Sequence, residues 1–350
     1  MPSHARASAA TAASAAAALL LLLLFAAGAE GHAIMVQPPS RNWLAYLRHE
    51  EFRPHELSMG GARVVSDNGN LRYPAGRRGG CGDRFDAPRY AAPGPVRAAY
   101  RAGQTVNVDV ALMSNHAGRF AVQVCDLMAG RQAQAQGRCY DLRLAASPNP
   151  TRFFFLPNVR GGWGGGNWGG DEPSYGDGTF SAYPMPAISS GWGCTNQATC
   201  DSFRGMWVYR TQWQLPGNFT CEHCKLQWTW TTGHNCWPTC DAGDASLQCT
   251  NRQPFPACGQ PGAGYPEEFV NCADISVSEK ADPAASNSPP WGAAVAGSMR
   301  SGLWGTVRPP VMSKRSNRDR RSRKAWAEPE AEAKAEAKAH RHGTQAPEAA

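Results

Sequence analysis

The chain of 350 residues has only one long apolar run, from Ala15 to Ala27, and nothing comparable follows it. That run is shorter than the roughly 20 residues a membrane-spanning helix needs, so a signal anchor is the lesser reading of it. No apolar stretch closes the chain, which excludes a glycolipid anchor. Helical periodicity is weak throughout, which argues against a helix bundle. Cysteine is missing before Cys81 and after Cys272. The glycine-rich segment 161–170 lacks the preceding strand and following helix of a phosphate cradle, so nucleotide binding is rejected.

What is present starts with a secretory signal. His4 and Arg6 form a short n-region, Leu19 to Phe25 form the apolar core, and Ala29 and Gly31 form a small-x-small cleavage site. Cleavage after Gly31 leaves His32 first in the mature chain. His32 then carries an α-amino group beside its imidazole, a pair of nitrogens able to chelate a metal. Cleavage one or two residues away would leave an ordinary surface histidine.

The expected organisation is a signal at 1–31, one folded domain at 32–280 and a low-complexity tail at 281–350. All 12 cysteines lie within the domain, and an even count in a secreted chain predicts disulfides. The net charge of +7 owes much to the basic run at 314–324, whereas the domain is nearer neutral. The tail, with its Ala-Glu-Ala-Lys units at 330–338, lacks apolar residues to bury and reads as disordered. Secretion argues against nucleic acid as the partner of that basic run; a near-neutral domain suits an uncharged polysaccharide. The mature protein is expected to be extracellular, soluble and monomeric.

Residues 106–112 and 119–125 alternate apolar and polar side chains, the pattern of half-buried strands. Residues 226–231 are rich in aromatic and β-branched types and read as a core strand, and 272–277 as the last strand. The paired prolines make 37–43 an extended turn and not a helix. Short strands joined by Gly- and Pro-rich segments predict an all-β fold, an antiparallel β-sandwich with long loops and several disulfides. Trp163 and Trp168, in the glycine-rich loop, either stack on sugar rings or pack back on the sandwich. Asn218-Phe219-Thr220 meets the rule for N-glycosylation, in an exposed turn.

A second histidine, His116, lies between two expected strands. A loop there could bring it beside His32, giving three nitrogens: the amine and the two rings. Such a set with open positions suits copper. The amine binds only when neutral, and its free pKa is about 7.7–8.0, so affinity should fall in acid. By itself His116 also reads as a surface or hydrogen-bonded histidine. His223 and His234 lie near cysteines with zinc-like spacing, but in an oxidising compartment those cysteines favour disulfides, and neither histidine offers a better set.

His32 after a signal, Pro38-Pro39-Ser40-Arg41, Asn115-His116-Ala117-Gly118-Arg119-Phe120, the stretch 215–233 and Glu267-Glu268-Phe269-Val270-Asn271-Cys272-Ala273-Asp274-Ile275 together resemble one family. It is the lytic polysaccharide monooxygenases of auxiliary-activity family fifteen, with their chitin-binding type-4 domain, over roughly residues 32–278. The resemblance implies an immunoglobulin-like or fibronectin-like sandwich with one copper ion held by His32 and His116. It implies oxidation of a carbon at the glycosidic bond of chitin or cellulose, with a small-molecule or protein electron donor. Phe269 matches the axial aromatic, where relatives often carry tyrosine, and Tyr265 is the second choice. Ser114 stands where relatives often have alanine over the copper. Gly80-Cys81-Gly82-Asp83 resembles a shortened family motif with one cysteine missing, leaving local disulfide pairing open. Two other functions stay open: a non-catalytic polysaccharide binder, and a copper storage or transfer protein.

Overall fold

A computed structural model describes residues 32–127, 139–145, 151–156, 180–188, 194–241 and 255–280. The signal, the tail and the loop carrying Trp163 and Trp168 lie outside these residues.

Two sheets pack face to face. In the first, β1 (His32–Gln37) pairs with β3 (Thr105–Ser114), β3 with β9 (Trp207–Gln214), and β9 with β6 (Arg143–Leu144) and β8 (Phe180–Pro184). In the second, β2 (Ala98–Arg101), β11 (Glu268–Ser278), β10 (Cys221–Thr231), β4 (Arg119–Asp126) and β5 (Cys139–Asp141) lie in that order, and β7 (Phe154–Phe155) adds to β4. The pairings are antiparallel except β2 with β11. All four stretches expected as strands are strands, and the all-β sandwich is the observed class.

Alternation explains the core. Val106, Val108, Val110 and Leu112 of β3 face Phe120, Val122 and Val124 of β4 and Leu226, Trp228 and Trp230 of β10 in one buried cluster. Each such side chain contributes about 1.5–3 kcal/mol on burial. Strand β11 is buried on both faces. Phe269, Ala273, Ile275 and Val277 enter the sandwich, whereas Val270 and Cys272 pack beneath the segment that follows β1. A cover over the outer face also explains why β11 reads as a nearly continuous buried run.

That cover contains the one departure from the expected backbone. Residues 37–40 do turn, but Arg41–Leu47 is a helix. Proline disfavours the helical conformation only in the residue before it, so Pro38 and Pro39 place no limit beyond Ser40. Ser40 caps the helix, accepting from the Trp43 amide. The buried Arg41 guanidinium grips both oxygens of Asp274 in β11 at 2.7 and 2.6 Å, and Cys81 is disulfide-bonded to Cys272. These links clamp the segment to the sheet. The shortened glycine–cysteine motif therefore has its partner in the last strand, and its Asp83 accepts from the Tyr90 amide.

Further disulfides join Cys125 to Cys139, Cys194 to Cys200, Cys221 to Cys224 and Cys236 to Cys258, and Cys240 is also oxidised. Among the described residues no cysteine is free. A zinc–thiolate site around His223 or His234 is thereby excluded, as the redox reading expects. His223 instead contacts Asp274 at 2.9 Å. Asn218 is exposed in the turn before β10. No helix among the described residues is long and apolar enough to cross a membrane.

Candidate metal centre

The register of β1 on β3 sets His32 opposite Ser114. Ser114 ends β3, and His116 lies two residues further, in the tight connection to β4. The pairing thus sets His32 across from the strand end that leads into His116, 84 positions away in the chain.

The connection is held at every residue. Asn115 accepts from the Ala117 amide through its side-chain oxygen. Ala117 and Gly118 take positive φ, 50° and 84°. At Gly118 a Cβ would stand 2.1 Å from the Thr231 carbonyl oxygen, so only glycine fits. The Trp230 indole donates to the Ala117 carbonyl at 2.8 Å, and the Gly233 amide donates to the His116 carbonyl at 2.9 Å. The end of β10 therefore holds the His116 backbone.

His116 is buried, and His32 is half-buried. Burial lowers the pKa of each to about 4. His55 adds to the effect on His32, and His234 and His32 add to that on His116. Both imidazoles are neutral near pH 7, the form that ligates metal. His116 has no hydrogen-bond partner on either ring nitrogen, and Nδ1 of His32 has none. Leaving a buried polar atom unpaired costs about 1–3 kcal/mol, and neutral imidazoles with buried, unpartnered nitrogens are a fit for a metal ion.

Two further imidazoles join them. His55 comes from the short helical turn Pro54–Glu56, which is fixed by the Asn42 amide donating to the Pro54 carbonyl. Its ring lies 5.0 Å from that of His32, edge to face. On the other side, the His234 ring lies 4.7 Å from that of His116. Burial lowers the pKa of His234 as well. Burial raises the pKa of Glu56, but hydrogen bonding to His55 and the charges of His55, Arg53 and His32 outweigh it and leave it lowered. Two three-residue groups result, His32–His55–Glu56 and His116–His234–Glu267, each with possible ligand atoms within 4.8 Å of one another.

Sequence reading did not find His55, Glu56 or Glu267 as site residues, and it set His234 aside. No spacing links any of them to His32 or His116; only the chain's return in space does. His234, set aside because its neighbouring cysteines favour disulfides, belongs to one of the groups that could hold a metal ion.

Phe269 is buried opposite Trp230 in the β10–β11 pair, with ring centroids 5.2 Å apart. The Trp230 ring is in turn 6.3 Å from that of His116. The Tyr265 hydroxyl donates to the Ala75 carbonyl and accepts from Arg78. Ser114 contributes its backbone opposite His32. Phe52, three residues before His55, is 72% exposed.

No family model and no curated protein matches this sequence. Among solved structures the chain is similar to "Lytic Polysaccharide Monooxygenase AA15 from Thermobia domestica in the Cu(I) State". That similarity has a TM-score of 0.42 and 22% identity, over 71% of this chain and 100% of the other. It is also similar to a chitin binding domain from Burkholderia pseudomallei, at a TM-score of 0.31 and 10% identity, over 71% of this chain and 99% of that one.

Proposed function

We propose that this is a secreted copper-dependent polysaccharide monooxygenase that cleaves glycosidic bonds oxidatively, with chitin as substrate ahead of cellulose. The observation that supports the reading is the β1–β3 register, which sets His32 opposite Ser114, two residues before His116, together with buried ring nitrogens on both histidines that lack hydrogen-bond partners. The sequence resemblance over residues 32–278 supports the same assignment.

In this reading His32 supplies its amine and ring, and His116 supplies its ring. Bound copper would provide the one-electron chemistry with oxygen or peroxide that protein side chains lack. The chain's own contribution is to orient its ligands and limit access of water. The Ala117 and His116 carbonyls, fixed by Trp230 and Gly233, set the direction of the His116 ring. Phe269 and Trp230 keep the interior behind it apolar. Phe269 has no atom able to ligate, so beside a bound copper it would shield without coordinating. Trp163 and Trp168 are assigned to stacking on sugar rings, and Asn218 to glycosylation. The signal sequence supports an extracellular site of action on an insoluble polymer, with electrons from a small molecule or a protein donor.

The test is product analysis. Copper-loaded protein given ascorbate and crystalline chitin should release oxidised oligosaccharides, read by mass spectrometry. Retained chitin binding with no oxidised product from chitin or cellulose would replace this function by that of a binding protein. Tight copper binding with neither product nor polymer binding would indicate storage or transfer.

A further inference from the structure

We propose that His116, His234 and Glu267 form a second position for a divalent cation, one that does not depend on the N-terminus of the mature chain. It shares His116 with the copper site proposed above but uses neither the amine nor the ring of His32.

Three observations carry this. The candidate donor atoms of the three residues all lie within 4.8 Å of one another. Nδ1 of His116 is 3.9 Å from a carboxylate oxygen of Glu267, too long for a hydrogen bond. Ligands about 2.0–2.1 Å from a common tetrahedral ion stand roughly 3.4 Å apart, so 3.9 Å is nearer to a ligand–ligand separation than to a direct contact. Finally, both ring nitrogens of His116 and Nδ1 of His234 are buried without hydrogen-bond partners. A neutral imidazole offers one nitrogen lone pair at a time, so His116 serves one set or the other according to which nitrogen carries the proton.

The three residues are also held from a single point. The Gly233 amide donates to the His116 carbonyl, and both the amide and the hydroxyl of Thr232 donate to the Glu267 carbonyl at 3.0 Å. Thr232 and Gly233 immediately precede His234. Beyond it, the Cys236–Cys258 disulfide ties down the segment. Ligands whose backbones are bolted to one short segment are positioned before an ion arrives. Two imidazoles and one carboxylate suit a borderline first-row ion such as zinc or cobalt and leave a coordination position open; harder calcium or magnesium would take oxygen ligands.

The test uses protein expressed from the full chain, with Co²⁺ as the probe, followed by its visible absorption and by calorimetry. His32→Ala removes the ring of the copper site and also breaks the His32–His55–Glu56 group. This variant should still bind one Co²⁺ per chain. Adding His234→Gln, which keeps a polar side chain of similar size, should weaken that binding by at least about tenfold, with the metal-free melting temperature confirming the fold. The proposal is overturned if His32→Ala binds no Co²⁺, or if the double variant binds it as tightly as His32→Ala does. The copper reading is judged separately. Unchanged Cu²⁺ affinity in His32→Ala would remove that reading and leave this one standing.

Discussion

The amide of Gly233 donates to the carbonyl of His116 at 2.9 Å. This one bond joins the β3–β4 connection to the end of β10, and through them sets His116 beside His234. It also accounts for the glycine at 233, where a Cβ would stand 2.8 Å from the Trp237 ring and 2.9 Å from the Gly118 amide.

His116→Ala should lower copper affinity by at least about tenfold, because losing a ligand exceeds the loss of a group that merely orients one. An additional residue before His32 should do the same by moving the amine away from the ring. Calorimetric titration of each variant checks this; unchanged affinity in either would rule out the two-histidine site.

Gly118→Ala forces a side chain into φ 84° and against the Thr231 carbonyl. Backbone strain of this type costs about 1–3 kcal/mol. The variant should unfold at lower urea, and its copper affinity should fall as well because the displaced loop carries His116. Loss of stability with copper binding intact would mean that the loop's shape does not set the ligand.

Removing the Cys81–Cys272 disulfide by the double alanine variant should destabilise the domain by about 2–5 kcal/mol. The bond spans 191 positions and secures the segment covering β11. Thermal unfolding of the variant against the parent measures the loss. A drop confined to the covering segment, seen as hydrogen exchange there with the β10–β11 pair still protected, would show that the two unfold separately.

Lys225 in β10 is buried, and burial, with the Arg41 guanidinium nearby, lowers its pKa. The folded protein holds this proton less tightly than the unfolded chain does. The cost is therefore present in full below the folded pKa and vanishes as pH rises to the unfolded value of about 10.4. Lys225→Met should raise stability at pH 7 by about 1 kcal/mol. Urea unfolding at pH 7 and pH 10 checks it: the gain should shrink at the higher pH, and a gain equal at both would point to packing instead of charge.

The sequence by itself determined the layers of the fold, because alternation has a period of two and is local. Residues 106–112 and 119–125 carry their inward faces in their own order, and β3 and β4 follow. It also anticipated the oxidised cysteines, because their even count within one stretch of chain reads as a disulfide framework. The pairing of His32 with His116 was an expectation from a loop between two strands and from resemblance to a family, since nothing in their separation implies contact. The helix at Arg41–Leu47 escaped because proline signals weigh on residues before them and Ser40 resets the chain after them. Tertiary structure alone decided which groups stand next to the two histidines. His55, His234 and Glu267 reach them through the turn at Pro54–Glu56 and the end of β10, contacts between segments far apart in the chain. Such contacts depend on the register of whole strands, and no local pattern encodes them.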